Sequence, residues 1–329
     1  MEQTVPTVSV IMTTYNRNEK YLRRSISSVL AQTFLDYEFF IIDDNGRDSS
    51  YSIDIPALVK SLHPAEEIKY IANENNMGAQ KSRNLGLSLA NGSYIAFLDD
   101  DDEWLPEKLE RQVRLMEETT MPNIGLVYCW FNLFKFEATE KYEKHEIKPV
   151  VRADSFPRAL LKKNFIGSTS FPLIKKSCFD AVGLFDENLR SSQDYDMWIR
   201  ICEKYSIDYV PEILCNYYAH QEARITRNTR YKLDSELNLL EKHKQLIQQD
   251  AQALSLKYHK ICKYYYALDD FSGFIKYLAL SLMASPKSIK LHGHLFIMLA
   301  TYPVKFLKGQ LKKLLQLSLL NQIVTHLPN

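Results

Sequence analysis

The chain has 329 residues, of which 46% are hydrophobic and 25% charged, and its formal net charge is +1. This balance is ordinary for a globular protein with a large core, and it gives no sign of a nucleic-acid partner. The five cysteines are widely spaced and form no CxxC pair. That argues against a disulfide framework and a zinc site, and it favours a reducing, cytoplasmic environment.

Targeting and membrane signals are weak in this sequence. Residues 1–7 lack the apolar segment of a signal peptide, so none is expected. The longest nearly apolar run, residues 291–304, is too short and interrupted for a span of roughly 20 residues, so we expect no transmembrane helix.

The N-terminal part of the chain alternates between apolar strands and amphipathic helices. The pattern predicts strands at residues 7–14, 37–43, 68–72 and 93–98, and helices at 19–33 and 77–90. Such alternation predicts an α/β fold with a mostly parallel, doubly wound sheet flanked by helices.

Polar side chains follow three of these strands, at residues 13–16, 43–45 and 99–102. In doubly wound sheets ligands bind outside the carboxyl ends of the strands. The sequence therefore predicts a binding site at this edge of the sheet.

The second half changes character. Residues 124–136 predict another long strand, and the charged stretch 137–153 predicts a connection. After about residue 228 the sequence becomes glycine-poor with helical periodicity. We therefore predict two domains, an α/β domain over 1–225 and a helical C-terminal domain over 226–329.

The most informative motif is the run of four aspartates at 99–102 and Glu103, directly after the strand at 93–98. Crowded carboxylates repel one another, so a fold keeps them near a buried strand end only with a compensating positive charge. A hard divalent cation shared with a phosphate would supply it. The alternative is an acidic, solvated loop.

Five segments, in this order and spacing, resemble the family 2 glycosyltransferases of the GT-A fold over roughly residues 5–220. They are residues 8–17, 42–46, 76–84, 97–102 and 193–198. The resemblance implies inverting transfer of a sugar from a nucleotide-sugar, usually a UDP-sugar, with Mn²⁺ or Mg²⁺. The implied acceptor is a hydroxyl of a glycan, lipid-linked or protein-linked molecule in cell-surface polysaccharide or glycoprotein biosynthesis.

The resemblance also implies roles for individual residues. Thr13 and Tyr15 would contact the nucleotide base, Asp44 would accept from the uracil imide, and Arg83 would lie near base or phosphate. Asp99, Asp100 and Asp101 match the DxD motif, in which Asp100 resembles the ribose contact and Asp101 the metal ligand.

Two further assignments complete the implied site. Asp194 matches the general base, and His220 stands where relatives often have a histidine near metal and diphosphate. The chain departs from the family pattern at Gln193, where a glutamate usually precedes the base. The neutral amide removes one negative charge beside Asp194 and should ease its ionisation.

Each assignment has a structural alternative. The structural alternatives are packing for Tyr15, a turn cap for Asp43 and Asp44, an ion pair for Arg83, loop or helix N-terminal charges for Asp102 and Glu103, and a plain surface position for His220. Asp196 could compete with Asp194 as base or be structural, Trp198 could belong to the core or to the acceptor wall, and Ser168 and Ser170 could line the acceptor cleft or end a turn. Two rival functions also remain, a catalytically silent nucleotide-sugar-binding subunit and a nucleotide-sugar pyrophosphorylase. The latter lacks its expected GxGxRxxPLT-type opening in this sequence.

The C-terminal segment is basic. Residues 271–329 contain seven lysines and no acidic residue, and Val304, Leu307, Leu311, Leu314 and Leu315 form one helical stripe. This pattern predicts either an interfacial helix at the inner membrane face or a contact with another subunit or domain. The expected location is therefore cytoplasmic, with peripheral membrane contact or homo-oligomerisation as the alternatives.

Overall fold

The computed structural model describes residues 5–46, 53–62, 68–136, 142–150, 156–189, 191–219, 228–286, 293 and 296–303. The chain divides into two compact units, Met1–Arg224 and Ile225–Asn329.

Within the described residues, nine strands of the first unit form one sheet. In chain order they are β1 (Val8–Thr14), β2 (Tyr37–Asp43), β3 (Ile68–Ala72), β4 (Tyr94–Asp99), β5 (Glu103–Trp104), β6 (Ile124–Phe136), β7 (Tyr142–Ile147), β8 (Leu173–Lys175) and β9 (Ser206–Ala219). The order across the sheet is β3-β2-β1-β4-β8-β6-β9-β5, and β7 pairs with β6.

The first four strands confirm the predicted parallel arrangement. β3, β2, β1 and β4 run parallel, and Thr13 of β1 lies in register with Ile42 of β2 and Asp99 of β4. The carboxyl ends of these strands therefore meet at one edge. Beyond β4 the sheet is mixed, because β8 runs antiparallel to both β4 and β6.

Seven helices accompany this sheet in the described part of the first unit: α1 (Glu19–Leu30), α2 (Ile55–Leu62), α3 (Ala79–Leu89), α4 (Lys108–Glu118), α5 (Phe156–Lys162), α6 (Lys176–Val182) and α7 (Gln193–Lys204). The Asn18 side chain caps α1 by accepting from the Lys20 amide, and Leu22 and Ile26 on its inner face are fully buried. α3 follows Gly78, whose φ of 89° suits a residue without a Cβ.

The prediction of a simple connection over residues 137–153 is wrong in part. β7 occupies 142–147 and pairs antiparallel with β6, from Phe131–Ile147 to Phe136–Tyr142. Its residues are exposed or half-buried on both faces. An edge strand that buries neither face needs no apolar alternation, so the periodicity rule has no signal to detect.

The second unit is helical in its described part, as predicted for the C-terminal region. It contains α8 (Thr229–Lys242), α9 (Lys244–Gln248), α10 (Ala251–Ala267), α11 (Phe271–Ala284) and helical residues 296–303. Its core joins Leu233, Ile261, Phe274 and Tyr277. In the described residues no helix combines the length and apolarity needed to cross a membrane. The helical stripe of valine and leucine that begins at Val304 lies outside the described residues.

A buried lysine connects α4 to the sheet. The Lys108 side chain is fully buried, its Nζ donates to Gln112 Oε1 at 2.7 Å, and it lies 4.1 Å from the centroid of the Trp104 ring. Gln112 in turn donates to the carbonyls of Val127 and Phe171. Burial lowers the pKa of Lys108 to about 8, since the charged form loses its hydration.

The depressed pKa predicts a pH-dependent stability. The reference pKa of this amine is 10.5, so between pH 8 and 10 the unfolded chain binds more protons and stability rises with pH. We expect the free energy of unfolding of the wild type, relative to Lys108→Met, to increase by about 1.4 kcal/mol per pH unit there. Urea titrations measure it. The exposed-lysine variant Lys60→Met should follow the wild type, and a pH-independent difference for Lys108→Met would contradict the expectation.

Candidate active site

The four aspartates lie at the end of β4 and in the turn to β5. Asp99 is the last residue of β4, and Asp100, Asp101 and Asp102 are 5%, 6% and 0% exposed. Since β4 is an interior strand and the chain turns back at once, these carboxylates are held within the protein. A solvated acidic loop is therefore the wrong interpretation of this motif.

Asp99 has three side-chain partners. Its Oδ1 accepts from Arg83 Nη2 at 2.8 Å and from Thr169 Oγ1 at 3.0 Å, and its Oδ2 accepts from Ser168 Oγ at 2.8 Å. Burial raises the pKa of Asp99, but Arg83 and the two hydroxyls outweigh burial and hold that pKa below its usual value. Asp99 is therefore charged at neutral pH.

Asp100 and Asp101 share one guanidinium. Arg17 Nε lies 2.8 Å from Asp100 Oδ1, and Arg17 Nη1 lies 3.2 Å from Asp101 Oδ2. Burial raises the pKa of Asp100 to about 6; Arg17 opposes the shift, and the charge of Asp101 adds to it. Two carboxyl groups buried so close together can both stay ionised only with a cation such as Arg17 beside them.

Asp102 is a buried structural carboxyl rather than the loop charge weighed above. It accepts from Ser170 Oγ at 2.6 Å and from the Tyr218 backbone amide at 3.3 Å. Burial, together with the charges of Asp101 and Asp99, raises its pKa well above the usual value. The chain continues from Asp102 into β5, which pairs with β9, and this pairing brings Tyr218 of β9 to Asp102.

Asp194 lies in the first turn of α7. Its Oδ1 accepts from the Tyr195 backbone amide at 2.8 Å, and its Oδ2 lies 3.4 Å from the amide nitrogen of Asn164. Burial raises the pKa of Asp194 to about 6, a shift that Arg83 opposes and Asp99 reinforces. The influence of Arg83 and Asp99 means that Asp194 lies in the same electrostatic environment as the end of β4.

A single loop, residues 164–170, links Asp194 to Asp99. Asn164 contacts Asp194 and also brackets Gly167, accepting from its amide at 2.9 Å and donating to its carbonyl at 3.3 Å. Ser168 and Thr169 of the same loop contact Asp99. The predicted base and Asp99 are thus both contacted by residues of one short segment.

The neighbouring carboxylate, Asp196, has a structural role. It is fully buried, and its Oδ2 lies 2.8 Å from Arg200 Nη2. Arg200 also donates to the carbonyls of Val182, Gly183 and Leu184 at the end of α6. Asp196 therefore joins α7 to α6.

The carboxyl end of β2 organises the loop that precedes α3. Asp44 is 3% exposed and accepts from Asn73 Nδ2 and from the amides of Met77 and Gly78, at 2.7, 2.8 and 2.8 Å. These bonds occupy three of roughly four lone-pair sites of the carboxylate. Asp43 accepts from the backbone amide of Asn45, which agrees with the alternative that this residue caps the turn.

The remaining predicted residues also have defined positions, with one exception. Thr13 lies beside Asp99 in the sheet, and Tyr15, directly after β1, is 56% exposed. Arg83 lies on α3 and reaches Asp99. His220 lies outside the described residues, so its assignment as a metal ligand stays a prediction.

Sequence reasoning missed three residues that complete the site: Arg17, Asn164 and Thr169. Arg17 could have been found from the sequence. It is a cationic residue just beyond the end of β1, at the edge of the sheet where the aspartates were predicted. Asn164 and Thr169 could not have been found in this way, since polar residues in a loop are common and only the fold brings these two to the aspartates.

The aspartate row suits a hard divalent cation. Asp100 and Asp101 already face one positive group, and carboxylate oxygens are the ligands that Mg²⁺ and Mn²⁺ prefer. Across the described ranges, no three His, Cys, Asp or Glu side chains converge as a complete ligand set. A cation held here would therefore need further oxygen ligands from a bound molecule or water.

Sequence comparisons relate this chain to known proteins. The model of the family described as "Glycosyl transferase family 2" matches residues 9–183 of this chain. An uncharacterized glycosyltransferase of Methanocaldococcus jannaschii is 34% identical over 71% of this chain and 78% of its own. The putative colanic acid biosynthesis glycosyl transferase WcaA of Escherichia coli is 31% identical over 73% of this chain and 82% of its own.

Solved structures agree on the fold. The S. aureus TarS fragment 1–349 superposes with a TM-score of 0.61 at 16% identity, over 92% of each chain. The same fragment in complex with UDP-GlcNAc gives a TM-score of 0.58 at 17% identity, also over 92% of each chain. The predicted GT-A architecture is thereby confirmed. With the family match over more than half of its length, the chain belongs to glycosyl transferase family 2 and is a glycosyltransferase.

Proposed function

We propose that this glycosyltransferase is metal-dependent and inverting, and that it moves a sugar from a UDP-sugar to a hydroxyl of a cell-surface glycan or its lipid-linked or protein-linked precursor. The observation that carries the proposal is the link through residues 164–170 between Asp194 and Asp99. It joins a carboxylate with a pKa of about 6 to a row of carboxylates suited to a cation.

Three features support a nucleotide diphosphate as the donor. Arg83 Nη1 is buried and has no hydrogen-bond partner among the described residues, and a buried donor without a partner costs about 1–3 kcal/mol. A phosphate oxygen would satisfy it. The exposed ring of Tyr15 offers a stacking surface for a base, and Asp44 retains a lone-pair site for an imide N–H. The TarS fragment also has a UDP-GlcNAc complex.

Asp101, with Asp100 beside it, would hold Mn²⁺ or Mg²⁺ together with the diphosphate. The cation, when bound, neutralises the charge that develops on the leaving diphosphate. Arg83, which pairs with Asp99, adds a second positive charge. His220 remains a predicted further ligand.

Asp194 would act as general base. Its pKa of about 6 leaves it ionised at neutral pH yet close enough to that pH to accept a proton efficiently. Asn164 and the Tyr195 amide orient the carboxylate. One base acting opposite the leaving group gives a single displacement with inversion, by the geometric reasoning used for inverting glycosidases.

The acceptor proposal has a different support. WcaA is named for colanic acid biosynthesis, a process that concerns a polysaccharide. We therefore propose a growing surface glycan as the acceptor class. Peripheral membrane contact through the basic C-terminal segment is part of this proposal and depends on the sequence pattern alone.

Replacing the base should separate binding from chemistry. Asp194→Asn keeps the shape but cannot take the proton, so kcat should fall by about 10²–10⁴-fold, while UDP affinity should remain near that of the wild type. UDP release in the presence of an acceptor glycan, together with calorimetric UDP titration, measures both. Full activity of Asp194→Asn would reject the assignment.

The matched control is Asp196→Asn, two residues along the same helix. Loss of the bond to Arg200 should lower the melting temperature, while kcat per folded molecule stays near wild type. If both variants lost kcat equally, the effect would be that of a disturbed helix rather than a missing base. A silent binding subunit would show no turnover to lose in any variant.

The raised pKa of Asp194 predicts an acidic limit to catalysis. Protonation removes the base, so kcat at saturating donor should decline below about pH 6, approaching tenfold per pH unit, and level off above it. Asp100 titrates in the same range, so UDP affinity should be measured in parallel. A kcat that stays flat from pH 5 to 8 would contradict the role of Asp194.

Metal removal is the third test. Excess EDTA should abolish turnover because the leaving diphosphate then lacks its compensating charge, and added Mn²⁺ or Mg²⁺ should restore it. The measurement is UDP release before and after the addition. Unchanged turnover in excess chelator would remove the cation from the proposal.

A further inference from the structure

Arg17 occupies the position in which a cation between Asp100 and Asp101 would be expected. Its guanidinium contacts Asp100 Oδ1 and Asp101 Oδ2 through two different nitrogens, at 2.8 and 3.2 Å. The other two aspartates of the row have other partners, since Asp99 pairs with Arg83 and Asp102 with Ser170. Arg17 is thus the cation that serves the two carboxylates proposed for ribose and metal.

The backbone on both sides of Arg17 is held in place. Asn16 has a left-handed φ of 47°, and its amide donates to Asn45 Oδ1 at 2.7 Å. Asn18, on the other side, caps α1. The side chain of Arg17 is 22% exposed, whereas those of Asp100 and Asp101 are 7% and 9% exposed. Arg17 is therefore more open to solvent than the two carboxylates that it contacts.

We propose that Arg17 is a built-in substitute for the divalent cation. It holds Asp100 and Asp101 in the nucleotide-free protein and moves its contact to the donor diphosphate when the cation binds. This inference rests on the proposed function of the site. Arg17 is a positioning residue here, because its charge decides when Asp101 becomes available.

The proposal follows from the balance of charges. A cation that binds alone must displace Arg17 from two buried carboxylates, and the guanidinium then gives up both of these ion pairs. A cation that arrives with a diphosphate brings the anion that Arg17 needs, and Arg pairs well with phosphate oxygens. Metal and nucleotide should therefore bind with positive coupling, and by linkage each should strengthen the other equally.

The experiment is a linkage titration on the full chain with Mn²⁺ and UDP as probes. Free Mn²⁺ is measured by electron paramagnetic resonance with and without saturating UDP, and UDP affinity by calorimetry with and without Mn²⁺. In the wild type we expect weak Mn²⁺ binding alone, and about tenfold or more tighter binding with UDP. In Arg17→Met we expect several-fold tighter binding of Mn²⁺ alone and a smaller enhancement by UDP.

Two further variants make the result specific. Arg23→Met removes an exposed arginine of α1 that pairs with Glu19 and should match the wild type. Arg17→Lys keeps a charge but lacks the two-pronged contact, so its coupling should lie between those of the wild type and Arg17→Met. If Arg17→Met does not fold in EDTA, Arg17→Lys carries the titration, and a larger rise of its melting temperature with Mn²⁺ than in the wild type supports the proposal.

The outcomes separate this inference from the proposed function. If the wild type and both Arg17 variants share the same Mn²⁺ dissociation constant without UDP, and again share one with UDP, Arg17 forms only a structural ion pair. That result would overturn the inference. If, in that case, Asp101→Asn still abolishes Mn²⁺ binding in the presence of UDP, the proposed metal site stands although the inference about Arg17 fails. If the wild type binds no Mn²⁺ even with UDP, both fail.

Discussion

The crowding of four carboxylates at the end of β4 is the constraint on which the rest of this site depends. Like charges in a partly dehydrated place raise one another's pKa values, so each must have a compensating partner or remain protonated. Three of the four have a cationic partner. Asp99 has Arg83 and two hydroxyls, Asp100 and Asp101 share Arg17, and Asp102 has a strongly raised pKa. The cationic residues come from the loop after β1 and from α3, two elements that the parallel strands bring to the same edge of the sheet.

The loop over residues 164–170 has the second organising role. It contacts the proposed base through Asn164 and the aspartate row through Ser168 and Thr169. Its turn needs a glycine at 167, where φ is 89° and an added Cβ would lie 2.7 Å from the Phe171 ring. Ser192, just before α7, also has a positive φ, of 60°. A positive φ is strained for a serine, and such backbone persists where the surrounding structure over-determines it; here it lies two residues before the proposed base.

The elements were predictable to different degrees, for identifiable reasons. β1, β2, β3 and β4 were predicted to within a residue or two, because a short β-branched run is a local signal. β7 was missed because an exposed edge strand has no apolar face. The burial of Asp102 was missed because it results from β5 and β9 folding over the turn, and nothing in the neighbouring residues announces that contact.

The sequence by itself determined the alternation of strands and helices, the polar strand ends and the family, because these follow from local periodicity and from motifs read along the chain. Tertiary structure alone decided which cation serves which carboxylate, and that Asn164 lies between the proposed base and the aspartate row. The physical reason is that these are contacts between side chains far apart in sequence, such as Arg17 with Asp100 and Ser168 with Asp99. Their energies depend on distance and burial, which exist only once the chain has folded.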